Sequence, residues 1–263
     1  MRRIGFLVSS LIVTTAVMAA PAMAAQCSST GGNYQSWKAQ FAVEAKANGA
    51  SSKAISALMS TNYATATIYA DRHQHSFHLS LGAFMAKRGS ATIVAQGRRM
   101  KAANAALFAS IESRYGVPAG PLIAIWGMET AFGRVTGNQN TLSAVATLAY
   151  DCRRTEFFTE QLYAALKLVD RGILSASSRG AMHGELGQTQ FMPKNVLLYG
   201  TGGNLSGKES ALSSTAKFLV GHGWKRGAGY QPGQANFGAI QGWNAASVYQ
   251  QAIAIMGKQI DGE

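Results

Sequence analysis

Leu122-Ile-Ala-Ile-Trp-Gly-Met-Glu-Thr-Ala-Phe-Gly133 is the stretch that decides the reading of this chain. Glu129 is its only charged residue; Leu122, Ile123, Ile125, Trp126 and Met128 lead into it and Phe132 follows. Gly120-Pro121 opens the run, and a proline at the first helical position gives up only an N–H that would have no partner there. On such a helix Glu129 lies one turn from Ile125, Trp126 and Phe132. A carboxyl group wedged among apolar and aromatic side chains loses water. That disfavours its charged form and raises its pKa, as a general acid near neutral pH requires. The alternative is a glutamate on the polar edge of a core helix, with its charge in solvent.

The segments on either side are also helical in pattern. Trp37, Phe41 and Ala45 recur at i, i+4 and i+8 in a helix from Trp37 to Ala47, and Ser51-Ser52 caps a second to about Met59. Ile68 to His78 is less regular. Ile93 to Tyr115 reads as one long helix with Met100, Ala103, Leu107 and Ile111 as its apolar stripe and Gly116 as its stop. After Glu129 comes a polar loop, Gly133 to Asn140. Thr141 then caps a helix Leu142 to Tyr150, and Asp151-Cys152-Arg153-Arg154 makes a corner. Thr155 caps Glu156 to Val169, with Phe157, Leu162, Leu166 and Val169 inward. Ser175 to Thr189 is rich in glycine and serine and reads as a loop. Lys208 to His222 is helical, Gly227 to Gly238 a loop, and Ala245 to about Ile260 the last helix. The expected fold class is mainly α, with at most a small β element in the 180s or 230s.

Met-Arg-Arg, an apolar run from Ile4 to about Ala20 and Ala22-Met-Ala24 together form a secretory signal peptide, residues 1–24. No later stretch is long and apolar enough to span a bilayer. About 239 residues remain, enough for one large domain or two lobes around a cleft. Loss of Arg2 and Arg3 takes the net charge from +12 to +10, which suits an acidic polymer outside the cytoplasm; no clustered Lys/Arg stripe suggests nucleic acid. Cys27 and Cys152 are an even pair in an oxidising compartment, which favours one disulfide over two buried thiols.

Acidic residues are few. Most fall on helix faces beside basic or polar residues, where solvation is the default; only Glu129 and Glu185, between Gly184 and Leu186 in the Gly-rich loop, have unusual settings. If both line one cleft, they could be the paired carboxylates of a glycosidase. Nucleophile elbows, H-E-x-x-H, phosphate-binding glycine motifs and acidic calcium loops are missing. His73, His75 and His78 fit neither one helical face nor a common zinc spacing, so no metal is expected.

Four blocks stand in order: Ile125-Trp-Gly-Met-Glu-Thr-Ala-Phe-Gly133, Ala146-Thr-Leu-Ala-Tyr-Asp-Cys-Arg-Arg154, Gly187-Gln-Thr-Gln-Phe-Met-Pro193 and Gly223-Trp224; Trp243-Asn-Ala-Ala-Ser-Val-Tyr249 adds a fifth. Together they resemble the lytic murein transglycosylases of the membrane-bound B type over nearly all of residues 25–263. The resemblance implies a lysozyme-like helical domain whose cleft holds a peptidoglycan strand, with Glu129 as the one catalytic acid. In that chemistry Glu129 protonates the oxygen between MurNAc and GlcNAc, and the substrate's N-acetyl group steadies the cationic centre. The same glutamate then takes the proton of the MurNAc 6-hydroxyl, which closes on C1 to give a 1,6-anhydro sugar without water. Intramolecular attack has a large effective-molarity advantage.

By the same resemblance Gln190, Asn244 and Tyr249 line the site, and Arg153 and Arg154 suit the acidic peptide stem. Read alone, Asn244 would be a helix cap, Tyr249 a core aromatic and the arginines a solvated corner. Three positions depart from the pattern: Ala181 stands where some members have serine, and Phe218 and Trp243 where tyrosine is frequent. Tyr199 to Lys208 lacks the acids of the calcium loop of some members, so activity without calcium or any cofactor is expected. A periplasmic monomer without a separate peptidoglycan-binding module is the expectation. The competing readings are a water-using muramidase, with Glu185 as second carboxylate, and a non-catalytic glycan binder of the same fold.

Overall fold

The structure is a computed structural model that describes residues 25–73 and 79–262. The expected signal peptide, residues 1–24, and His75 and His78 lie outside the described residues. Thirteen α-helices, one 3-10 turn (Gly31–Asn33) and one two-stranded ribbon make up the regular structure among the described residues. The first six helices are α1 (Tyr34–Ala47), α2 (Ser52–Met59), α3 (Thr65–Arg72), α4 (Leu81–Arg88), α5 (Ser90–Ala103) and α6 (Ala105–Tyr115). The helix of Glu129 is α7 (Ala119–Thr130), and β1 (Gln139–Asn140) leads into α8 (Thr141–Tyr150) and α9 (Thr155–Asp170). β2 (Arg179–Gly180), α10 (Pro193–Tyr199), α11 (Lys208–Gly221), α12 (Phe237–Trp243) and α13 (Ser247–Asp261) complete the chain. β1 pairs antiparallel with β2, Gln139 opposite Gly180.

α7 is the axis of the molecule. Every residue from Ala119 to Thr130 except Glu129 is buried, so the helix is apolar all round, as a helix enclosed on every side must be. It starts two residues before Pro121. α13 runs antiparallel along it, with Gly120 beside Gly257 at one end and Glu129 beside Tyr249 at the other. The crossing is backbone-close: a Cβ at Gly120 would lie 2.2 Å from the Gly257 carbonyl oxygen. The Asp261 carboxylate closes this end, accepting from the Gly120 N–H at 2.9 Å, Lys101 Nζ at 3.0 Å and the Tyr230 hydroxyl at 2.8 Å. An anion there also complements the positive end of the α7 dipole.

Several boundaries differ from the sequence expectation. The long helix 93–115 is two helices, α5 and α6, broken at Asn104. The Asn104 side-chain amide donates to the Met100 carbonyl at 2.8 Å and its backbone leaves helical geometry, a known competition between asparagine and the helix ladder. The buried face is therefore Ile93, Val94 and Gly97 in α5 and Phe108 and Ile111 in α6, while Ala103 is exposed and Met100 and Leu107 half-buried. Asn140, not Thr141, caps α8, its Oδ1 accepting from the Ser143 N–H at 2.8 Å. Thr155 begins α9 without capping it; its hydroxyl donates to the Asp151 carbonyl. Phe157 points outward and Phe158 fills the core instead. α3, α4, α10 and α12 form in stretches where no helix was expected, and α13 begins at Ser247.

Cys27 and Cys152 form a disulfide, fastening the start of the described chain to the corner after α8. Beside it Ser28 bridges to Asp151, and Tyr34, Trp37, Tyr63 and Tyr150 pack as an aromatic cluster.

Candidate active site

A cavity of about 1020 Å³ opens where the C-terminal end of α7 meets the loop 183–192 and the α12–α13 junction. Its volume exceeds what a single small ligand needs and suits an oligomer. Glu129 lies in it, together with Glu185, Gln190, Asn244 and Tyr249.

The Glu129 carboxyl is held by one of its oxygens. Tyr249 donates its hydroxyl to Oε1 at 2.6 Å, and Trp243 donates Nε1 to the same atom at 3.0 Å. Oε2 has no partner among the described residues. An oxygen that accepts two hydrogen bonds is not the one that carries a proton, so a neutral Glu129 bears its hydrogen on Oε2. Burial pushes the Glu129 pKa above the usual carboxylate range; the Tyr249 and Trp243 hydrogen bonds pull it down, the Glu185 charge raises it and Arg88 lowers it. Tyr249 is itself driven far upward, by burial first and then by Glu129, so it remains a phenol donor.

Trp243 reaches Glu129 because an aromatic cluster fixes its ring. Phe191 meets it edge-on at 5.3 Å and Phe218 at 5.1 Å, and Phe218 stacks on His222 at 3.9 Å. The two departures at Phe218 and Trp243 are thus one arrangement: a packed apolar wall that leaves only the indole N–H to donate.

The segment Gly187-Gln-Thr-Gln190 is a hairpin closed by Leu186 and Phe191, which exchange backbone hydrogen bonds at 2.8 and 2.9 Å. Two links lock it to α7: Trp126 Nε1 donates to Gln188 Oε1 at 2.9 Å, and the Thr130 hydroxyl to the Gln188 carbonyl at 2.6 Å. Gln190 takes φ 56°, and Ala131 and Phe132, just past Glu129, take 49° and 64°. Non-glycine residues held in this left-handed region cost about 1–3 kcal/mol each and gather where a site is over-determined. The Gln190 amide donates to the Gly187 carbonyl at 2.9 Å and the Thr136 carbonyl at 3.3 Å, which leaves its oxygen as the group offered to a ligand.

Asn244 lines the cavity without touching Glu129. Its Oδ1 accepts from the Ala246 N–H at 2.9 Å, and its amide nitrogen has no partner among the described residues. Arg153 and Arg154 both grip Asp71, a side chain only 1% exposed; Arg154 does so at 3.0 Å and also lines the cavity, while Arg153 does not. The corner is therefore not simply solvated: Asp71 anchors both arginines, and Arg154 is the one that also faces the cavity.

Sequence reasoning passed over four contributors. Asp71 and Asp151 are buried at 4% and 3%, against the expectation of solvated faces, because arginines from distant segments neutralise them. His183 faces Glu185 through both its backbone N–H and its ring; the His-Gly-Glu spacing was a visible signal. Arg88 stacks over Phe84 at 5.4 Å, one turn back in α4, and over Tyr249 at 5.7 Å, and nothing in the sequence joins that pair to Tyr249.

The fold and the site are those of a lysozyme-like helical domain with an acid at the end of its central helix facing a large cleft. The sequence profile of the transglycosylase SLT domain matches residues 33–233, well over half of the chain, and the chain belongs to that family. Membrane-bound lytic murein transglycosylase B of Escherichia coli (strain K12) is 36% identical over 121 residues. That match covers 43% of this chain and 34% of the relative, about a third of its length. Pseudomonas aeruginosa SltB3, solved in complex with NAG-anhNAM-pentapeptide, is similar with a TM-score of 0.80 at 26% identity, over 88% of this chain and 80% of that one. The Escherichia coli lytic transglycosylase Slt35 in complex with bulgecin A has a TM-score of 0.73 at 21% identity, over 85% and 92% of the two chains, a likeness of fold.

Proposed function

We propose that this protein is a peptidoglycan lytic transglycosylase that cleaves the MurNAc–GlcNAc β-1,4 bond without water and leaves 1,6-anhydro-MurNAc ends. The observation that carries the reading is the Glu129 carboxyl: enclosed, raised in pKa, and held at Oε1 so that Oε2 carries the mobile hydrogen. Oε2–H donates to the glycosidic oxygen as the C1–O bond breaks. The N-acetyl carbonyl of the same sugar stabilises the positive charge at C1. The Glu129 carboxylate then accepts the proton of the 6-hydroxyl, and O6 bonds to C1. One group serves as acid and then as base, so the net reaction consumes no water.

Gln190 through its oxygen and Asn244 through its amide nitrogen are the groups assigned to sugar contacts. Tyr249 and Trp243 hold the acid. Of the arginine pair, Arg154 faces the stem peptide and Arg153 serves the Asp71 anchor. Residues 25–263 form the catalytic domain, acting as a monomer in the periplasm after removal of residues 1–24. No helix among the described residues is long and apolar enough to cross a membrane.

One observation favours the muramidase reading: Glu185 lines the same cavity as Glu129. Incubation with purified sacculi, followed by mass spectrometry of the released muropeptides, separates the readings. Anhydro ends support the transglycosylase, reducing MurNAc ends the muramidase, and no soluble fragments a glycan binder.

A further inference from the structure

Glu185 is a built feature that the reaction just described leaves unused. It closes a tight turn in which the Ala181 N–H donates to the Glu185 carbonyl at 2.9 Å and the Gly184 N–H to the Ala181 carbonyl at 3.0 Å. Gly184 takes φ 90° and sits so close to α8 that a Cβ would lie 2.4 Å from Val145 Cγ2. Thr67 of α3 pins the turn from outside, its hydroxyl donating to the Met182 carbonyl at 2.7 Å.

Within this turn both carboxylate oxygens have a donor or ring partner. Oε2 accepts from the His183 N–H at 3.0 Å, and Oε1 lies 3.1 Å from His183 Nδ1. The other ring nitrogen of His183 is 3.8 Å from Asp71 Oδ1, and Asp71 is held in turn by Arg153 and Arg154. A line of side chains thus runs from the arginine corner through Asp71 and His183 to a carboxylate in the cleft, 22% of whose surface stays open.

We propose that Glu185, backed by His183, is a positioning residue for the proton on Glu129: its negative charge, fixed in the same cavity, holds that proton in place until the leaving oxygen takes it. The proposal rests on the reading of Glu129 as the acid. Like charges in one site oppose joint ionisation. Burial works to raise the Glu185 pKa, but the hydrogen bond and charge of His183 outweigh it, so Glu185 is the member that ionises first. The groups facing Glu129 are Tyr249 from α13, Arg88 from α4, Trp243 as a neutral donor and Glu185 from the loop. Arg88 favours loss of the Glu129 proton, and Glu185 supplies the opposing charge.

The test is the pH profile of kcat/KM for release of anhydro ends from purified sacculi, comparing wild type with Glu185→Gln and Glu185→Asp. Without the charge, Glu129 gives up its proton at lower pH. The alkaline limb of Glu185→Gln should therefore move down by about 0.5–1 pH unit. Activity one unit above the wild-type midpoint should fall about 3–10-fold, while the acid-side plateau stays within about twofold. Glu185→Asp, which keeps a charge, should restore part of the limb.

A limb that does not move overturns the proposal and leaves Glu129 as the acid. So does a uniform loss at every pH with a lowered Tm, which is a packing effect. Reducing ends from the wild type, with Glu185→Gln as dead as Glu129→Gln, overturn both this proposal and the transglycosylase reading. Should Glu185→Gln fail to fold, carboxyl ¹³C titration of the wild type decides. The Glu129 resonance, identified by its loss in Glu129→Gln, must show a second inflection where Glu185 ionises, and a single inflection refutes the coupling.

Discussion

At the residue scale the site turns on one carboxyl group. General acid–base groups contribute about 10²–10⁴-fold, and in the proposed reaction Glu129 serves both half-reactions. Glu129→Gln keeps the shape and can still accept from Tyr249 and Trp243, but it cannot give and retrieve a proton. Release of muropeptides should therefore fall by about 10⁴-fold or more, with an unchanged circular dichroism spectrum. The same substitution makes a stability prediction of opposite sign. The folded pKa of Glu129 is raised above that of the unfolded chain, near 4.3. Its favourable contribution is complete below that value and is lost as pH rises through the folded pKa. Glutamine does not ionise and loses nothing over that window. Glu129→Gln should thus match wild type in Tm near pH 4 and exceed it by about 2 °C or more at pH 8. An equal difference at both pH values would mean that burial does not perturb the group. Glu129 was legible in the sequence because it is the one charge in an apolar helix. Of its partners, Tyr249 was placed at the site only through family resemblance, and Trp243 was noted only as a departure from the family pattern; they lie 120 and 114 residues away and no local pattern joins them to Glu129.

At the element scale, α7 can be apolar all round only because its ends are polar-anchored from elsewhere. Asp261 supplies that anchor at the N-terminus through Gly120, Lys101 and Tyr230, and its side chain is 10% exposed. Hydrogen bonds to charged groups contribute about 1.5–3 kcal/mol, and the surviving donors would be left without a partner. Asp261→Ala should lower unfolding stability by about 2–3 kcal/mol, read as a lower urea midpoint with an unchanged slope. A change under about 0.5 kcal/mol would show that α13 packing alone holds the helix end. The apolar spacing that marked α1 and α9 follows from buried faces, which leave a trace in sequence; α2 was marked by Ser51-Ser52 at its start and α7 by Gly120-Pro121 and an unbroken apolar run. The break at Asn104 leaves a weaker trace, because apolar spacing runs on through the interruption. α4, α10 and α12 are seven or eight residues long, too short for a period to declare itself.

At the scale of the whole molecule, the disulfide is the longest covalent tie, joining Cys27 to Cys152 across 125 residues. The pairing was legible from the count of two cysteines and an export-like leader. What it fastens was not, since that depends on where α1 and the 151–154 corner meet. In the chain-entropy picture a closure of this length contributes roughly 4–5 kcal/mol. The contacts around it hold the native segment in place whether or not the bridge is closed. Ser28 already donates its N–H to the Tyr150 carbonyl at 3.0 Å, the Tyr150 hydroxyl donates to the Thr30 carbonyl at 2.7 Å, and Tyr34 and Trp37 pack on the Tyr150 ring. The N-terminal segment would stay docked when the bridge is opened, so the loss falls on the unfolded chain, which gains freedom. Cys27→Ser with Cys152→Ser should therefore lower Tm by several degrees, about 2–4 °C for each kcal/mol lost. Activity at 25 °C should persist, because Asp71 holds Arg153 and Arg154 in place independently of the sulfurs. Loss of activity at a temperature where the double variant is still folded would mean that the bridge, and not Asp71, sets the corner beside the cleft.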